Sequence, residues 1–332
     1  MKKSFIAIAI SSMIFLSACD DKEKNALAAQ VQQSTQEISQ LKGDLEKTKA
    51  ELDKASKELV VLKAEAEKAK SAFPALRVEI ETLFDKKEVV KHKKDPNSDD
   101  EFFREETPIH LGITMPKTSV KWLNVLLYNH FIQNWGGEFD AQGNKVLPPK
   151  VEKGKERETA LKILQKQFDA MIADAKENPA IGYTEVMNSH YVYQRNNLVV
   201  FSQFHNSYTG GAHGMYSTRY LNIDTDKQVI IKLSDLLSEK EQATLKETLW
   251  NHYVEEWKQL SGGNSDPFTT KADLTFSDEF YFSESGITFV YPPYALGPFV
   301  MGEIELTLYW DEIRAFLPKE YQYRTDNIDS EY

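Results

Sequence analysis

Seven histidines, one cysteine and 51 acidic side chains are the reactive groups of this 332-residue chain, and their spacing limits what they can do. His205 and His213 flank a glycine-bearing stretch and could reach one metal ion from a bent loop. No paired carboxylate stands at a recognisable spacing from them, and neither begins a His-Glu-x-x-His helix, so no metal site is expected. Gly-x-Ser-x-Gly elbows, Walker loops and dinucleotide fingerprints are absent, and no cofactor is expected. The scattered Asp and Glu residues could supply a pair for glycoside hydrolysis, but nothing in their spacing selects two of them. The sequence points away from catalysis and toward binding.

Two loops carry the candidate binding residues. In Tyr208-Thr-Gly-Gly-Ala-His-Gly214 the glycines permit positive φ and close backbone approach, which would hold Tyr208, Gly211 and His213 in a fixed surface relation. A glycine-rich connection with no ligand fits the same residues. The second loop is Tyr291-Pro-Pro-Tyr-Ala-Leu-Gly-Pro-Phe-Val-Met-Gly302. Three prolines lack a donor and cannot sit in a central strand, so this segment must be a constrained surface loop carrying Pro292, Pro293 and Tyr294.

Strands must hold both loops. The β-branched and aromatic run 198–204 pairs back on 190–194 through the polar turn at 195–197, and the alternating run 216–221 returns after the glycine loop. A polar turn at 224–227 then leads to the short run 229–231. Residues 276–283 and 287–291 form a further hairpin, and Ile304, Leu306, Leu308 and Trp310 alternate along a last strand. A short strand within 107–116 ends at Pro116. Helices are expected where Val120, Leu123, Leu127 and Phe131 share a face, where Leu161, Leu164, Phe168, Ile172 and Ala175 do so, and where Leu245, Leu249, Tyr253 and Trp257 follow a Ser238/Glu241 capping box. The fold class is α+β, an antiparallel sheet covered by helices, in one domain over 102–323 with a fraying polar tail at 324–332.

Ahead of this domain, a heptad runs unbroken from 27 to 73, with Val31, Ile38, Leu45, Leu52 and Leu59 on one seam and Leu27, Leu41 and Leu62 on the other. It predicts a long helix, either self-associating as a coiled-coil spacer or solvated alone and braced by its Glu/Lys pairs. The polar stretch toward Glu101 makes 74–101 a linker. At the start, a short basic region and an apolar run precede Leu16-Ser-Ala-Cys19. This resembles the lipobox of bacterial lipoproteins. The resemblance implies a signal peptide over 1–18, cleavage before Cys19, lipidation of its thiol, and a lipid-anchored spacer over 19–73. It leaves no thiol for a disulfide or a nucleophile. Asp20 and Asp21 resemble the signal that retains such proteins at the periplasmic face of the inner membrane, with the outer membrane as the alternative.

The formal net charge of −11 would become −13 on loss of Lys2 and Lys3. An acidic surface favours cationic partners and argues against nucleic acid. The two loop motifs, together with Tyr220-Leu-Asn-Ile-Asp224, resemble the extracytoplasmic domain shared by the anti-sigma factor RsiV and the noncatalytic part of the peptidoglycan deacetylase PdaC. The resemblance spans 107–317. It implies an α+β fold and, from RsiV, lysozyme binding by this domain, with the Pro292-Pro293-Tyr294 loop meeting the enzyme first and Tyr208, Gly211 and His213 second. A lipobox stands where RsiV has its sigma-binding segment, and no His-x-x-x-His pair of the deacetylase type is present. The expected function is therefore that of a non-enzymatic lipoprotein binding lysozyme or a lysozyme-like muramidase. The alternatives are an envelope scaffold or peptidoglycan-binding module, and an undetected hydrolase.

Overall fold

The computed structural model describes residues 21–71, 73–94, 103–136, 138–139, 145–146, 148, 151–179, 182–263 and 266–322, and the chain divides after Ser71 into two units. Cys19, the segment 1–18 expected as a signal peptide and the segment 324–332 expected as a tail lie outside the described residues.

The first unit holds α1 (Asp21–Ser71), whose 51 residues extend about 76 Å. Its seam residues Leu27, Val31, Ile38, Leu41, Leu45, Leu52, Leu59 and Leu62 are each more than half exposed. Pairs such as Asp53–Lys57 (3.0 Å) brace the polar face. The heptad overran the helix by one seam position. Phe73 belongs to the second unit, where its ring meets Trp122 edge-on at 5.8 Å. Among the described residues no helix is long and apolar enough to cross a membrane.

The second unit begins with a correction. Residues expected as linker form β1 (Val78–Lys91), which pairs antiparallel with β2 (Glu106–Thr118). β1 is an edge strand, so most of its side chains face water and carry charge, and the sequence reads as polar coil. Leu83 is an extra residue in the register between Thr82 and Phe84, and this bulge turns both Leu83 and Phe84 into the core. The domain therefore starts near 73 rather than at 102. β2 also runs through Pro116, whose missing N–H costs little opposite Ile80 of an edge strand.

α2 (Lys121–Trp135) and α3 (Glu156–Glu177) follow, separated by the two-residue strands β3 (Glu138–Phe139) and β4 (Lys145–Val146). The crossover they make returns β5 (Tyr183–Arg195) parallel to β2, the one parallel pair in the six-stranded sheet. β6 (Leu198–Tyr208), β7 (Met215–Asp224) and the short β8 (Val229–Ile230) complete the order β1-β2-β5-β6-β7-β8. Next come α4 (Leu233–Leu236) and α5 (Glu239–Leu260). The Ser238/Glu241 capping box expected before α5 is formed, with the Ser238 N–H donating to Glu241 at 2.7 Å. A second, three-stranded sheet holds β9 (Phe280–Phe282), β10 (Gly286–Tyr291) and β11 (Ile304–Tyr309), with β10 central, and α6 (Trp310–Ile313) follows it.

β6 separates two cores. Leu198 and Val200 face the core built from α5 and the three-stranded sheet, whereas Val199 and Phe201 face the one built from α2 and α3. Four consecutive buried residues thus split by strand alternation between the two sides of one sheet. The expected α+β architecture is present, with helices on one face of the main sheet and a smaller sheet with α5 on the other.

His130 of α2 shows what partial burial beside the α2/α3 core costs an ionisable group. Burial, with the positive charges of Arg219 and Lys232 nearby, pushes it from 6.5 down to about 4. The folded value lies below the unfolded one, so stability is full above pH 6.5 and is lost as pH falls toward about 4. About 3 kcal/mol is expected to go across that window. Urea midpoints measured against pH should fall more steeply for the wild type than for His130→Gln. Parallel curves would refute the assignment.

Candidate functional site

The two loops chosen from sequence meet. β6 runs through His205 and on to Tyr208, four residues past the expected strand run 198–204, and the turn itself occupies 209–214. Gly210 and Gly211 take positive φ, 98° and 99°, as that tight reversal requires. The Tyr208 hydroxyl donates to the Gly211 carbonyl at 2.9 Å and ties the turn to its own strand. The same geometry presents His213 to the second loop. Its Nε2 lies 3.0 Å from the Tyr294 hydroxyl, its Nδ1 lies 2.9 Å from the Gly214 carbonyl, and its ring stacks on Phe299 at 3.9 Å.

The proline loop is built to present Tyr294. Ala295 N–H donates to the Pro292 carbonyl at 3.0 Å, Pro293 occupies the second position of this four-residue turn, and Tyr294 takes the third with φ +73°. That is the pattern of a type II turn, whose third position favours glycine. A tyrosine held there stores about 1–3 kcal/mol of backbone strain. Its ring is 48% exposed, and Val300 beyond it is 89% exposed. Pro292 is exposed, but Pro293 is buried and belongs to the support rather than to the surface.

Two carboxylates lock the loops together. Among the described residues no strand pairs with the outer edge of β7 before Ile223, and there Thr218 donates its hydroxyl to Glu303 at 2.7 Å and its N–H to the same carboxylate. Tyr220 N–H donates to Glu279 at 3.0 Å. Burial raises Glu279 above the usual carboxylate range, with the Tyr220 N–H and Arg219 opposing the rise. Glu303 directly follows the proline loop, so its bond to β7 fixes one loop against the other. Gly302, at φ +73°, leaves room for the Tyr216 hydroxyl, which a Cβ would meet at 3.1 Å. Phe299, Tyr216 and Glu303 complete this surface and were not singled out from sequence. Phe299 lay inside the quoted motif, but its partner was set by strand register, which sequence spacing does not show.

His205 and His213, weighed from sequence as reaching one metal ion from a bent loop, lie in different surroundings. Strand alternation sends His205 to the α2/α3 side, where it bonds Glu185 and meets Trp135 edge-on at 5.4 Å, while His213 stays with Tyr294 and Phe299. Among the described residues no group of three or more His, Cys, Asp or Glu side chains is placed to hold a metal ion.

Residues 227–311 match the model of a family described as "Protein of unknown function (DUF3298)". This segment runs from just ahead of β8 to the start of α6 and contains the whole proline loop, but not His213. Among solved structures the chain is similar to a DUF3298 family member from Bacteroides fragilis NCTC 9343. The two are 20% identical with a TM-score of 0.55, covering 77% of this chain and 99% of that one. It is also similar to a DUF3298 family protein from Pseudomonas aeruginosa PAO1, at 16% identity, TM-score 0.49, and coverage of 74% and 96%. The first likeness is one of fold. No match was found among curated proteins.

Proposed function

We propose that this chain is a non-enzymatic lipoprotein, anchored through Cys19 at the periplasmic face of the inner membrane, that binds lysozyme or a lysozyme-like muramidase through the joined loops. The observation that carries the reading is the strained Tyr294 turn. A tyrosine at a position that favours glycine persists where something other than stability selects it, and here it is half exposed and braced by His213. A rigid aromatic projection loses little entropy on binding and suits insertion into a sugar-binding cleft. The resemblance of both loops to the RsiV-type domain supports the same partner, and a basic enzyme would be drawn to a chain of net charge −11.

The test is calorimetry of residues 21–332 against a basic lysozyme at physiological salt, where nonspecific charge attraction is screened. Sub-micromolar binding is expected, weakened about 30-fold or more by Tyr294→Ala. Tyr294→Gly should weaken binding equally while leaving the fold as stable or up to about 1 kcal/mol more so, since glycine relieves the positive φ. Binding that ignores both changes, or vanishes with salt, would end this reading.

A second reading, an envelope scaffold or peptidoglycan-binding module, draws on the open apolar seam of α1. Self-association through that seam would pair the domains, and sedimentation of the chain with and without residues 21–71 would reveal it.

A further inference from the structure

The aliphatic seam of α1 stays in water from Leu27 to Leu62 when one copy of the helix is taken alone, with each seam residue more than half exposed. What covers it can be read from the residues beside it. In heptad notation Val31, Ile38, Leu45, Leu52 and Leu59 are a positions and Leu27, Leu41 and Leu62 are d positions. The g column, one residue before each a, carries Glu37, Asp44, Glu51 and Glu58. The e column, one residue after each d, carries Lys42, Lys49 and Lys63. Between 28 and 63 every charged g residue is acidic and every charged e residue is lysine.

This separation of charge decides orientation. In a parallel pair the g column of one helix runs beside the e column of the other, which sets Glu37 against Lys42, Asp44 against Lys49 and Glu58 against Lys63 on both sides of the seam. In an antiparallel pair each column meets its own copy, acid beside acid and lysine beside lysine, which opposes association. Within one helix Lys49 lies 3.4 Å from Glu46, Glu58 lies 4.0 Å from Lys54, and Glu37 accepts a bond from Gln33 at 3.2 Å. The four ionic side chains are 62–81% exposed. Exposed pairs of this kind contribute little, so they do not hold the g and e columns away from a second helix.

The d column decides register. In register, Ser34 faces Ser34, Thr48 faces Thr48 and Ala55 faces Ala55, while each leucine layer faces leucine. A slip of one heptad sets Leu41 against Ser34 and Thr48, and Leu62 against Ala55, so large layers lose their partners. Val31 and Ile38 at a, with Leu27 and Leu41 at d, are the combination that favours two strands over three.

We propose that α1 pairs with α1 of a second copy as a parallel, in-register, two-stranded coiled coil. This deepens the self-association of the second reading, on which it rests, and is independent of lysozyme binding. It agrees with the proposed anchoring through Cys19, because a parallel pair brings both N-terminal ends to the same end of the coil.

The experiment uses residues 21–332, which span both units and contain no cysteine. Sedimentation of this chain should show a dimer. Single variants Ser34→Cys and Ala55→Cys should each close a disulfide between copies under mild oxidation, because in register each position faces itself within disulfide reach. Ala50→Cys, on the outer face of the helix, should not. The antiparallel alignment that sets residue 31 against 62 puts 34 against 59, so there Ser34→Cys would crosslink to Leu59→Cys in a mixture and not to itself. The triple variant Glu37→Lys/Asp44→Lys/Glu58→Lys, helical by circular dichroism, should dimerise about tenfold more weakly or worse. Mixing it with Lys42→Glu/Lys49→Glu/Lys63→Glu should restore a one-to-one pair. A chain that sediments as a single copy would end both this proposal and the self-association reading. A dimer that crosslinks between 34 and 59, or one that the triple variant leaves at full strength, would end the parallel pairing and leave that reading standing.

Discussion

Gly286→Ala is expected to disrupt the three-stranded sheet and lower stability by more than the roughly 1–3 kcal/mol usual for overpacking. An added Cβ would lie 1.9 Å from the Leu308 carbonyl oxygen and 2.9 Å from Tyr309 Cα, both of them backbone. No side-chain rotation relieves that contact, because Gly286 pairs with Tyr309 at the start of the central strand. The strands would have to part. Separation would uncover Ile287, Phe289 and Leu308, which are fully buried, and would strip Trp310 of its N–H bonds to Ser285 and Glu284. Chemical denaturation should show a much lower midpoint or a lost cooperative transition. A midpoint within experimental error of the wild type would mean that the two strands are not packed this closely.

The same glycine shows why some of this fold could be read directly and some could not. Glu284-Ser-Gly286 was legible as a turn because glycine between two apolar runs is a local signal. The close approach of β11 was not, since it comes from a strand that pairs across a whole proline loop. The edge strand β1 was misread for a related reason. With one edge paired and most side chains in water, its residues satisfy the composition rule for a linker while the backbone satisfies the sheet.

The candidate surface divides along the same line. Glycine and proline clusters mark loops on local evidence, so Tyr208, Gly211, His213, Pro292 and Tyr294 could be named in advance. Whether those loops meet depends on long-range register. The bond from His213 to Tyr294 and the stack of His213 on Phe299 follow only once β7 is joined to the three-stranded sheet by Glu303, just ahead of β11, and Glu279, just ahead of β9. A carboxylate standing in for a neighbouring strand has no sequence signature.

Tyr253 should prove to be the anchor of the proline loop from beneath. Its side chain is fully buried on α5, and its hydroxyl donates to the Leu296 carbonyl at 3.0 Å while accepting from Thr269 N–H at 3.3 Å. Leu296 sits two residues after Tyr294, so this bond holds the turn down from inside the core. Tyr253→Ala removes a large ring from a closed site and is expected to cost about 3–5 kcal/mol. Tyr253→Phe keeps the ring but leaves one buried carbonyl and one N–H unmet, for about 1–3 kcal/mol. The phenylalanine variant is the informative one, because Tyr253 cannot touch a partner on the surface. If the loop acts by being rigid, this variant should bind lysozyme several-fold more weakly than the wild type under conditions where both are fully folded, through the entropy of a loosened turn. Equal affinity with lowered stability would show that Tyr253 serves the core alone and that the Pro293–Tyr294 turn holds its shape unaided.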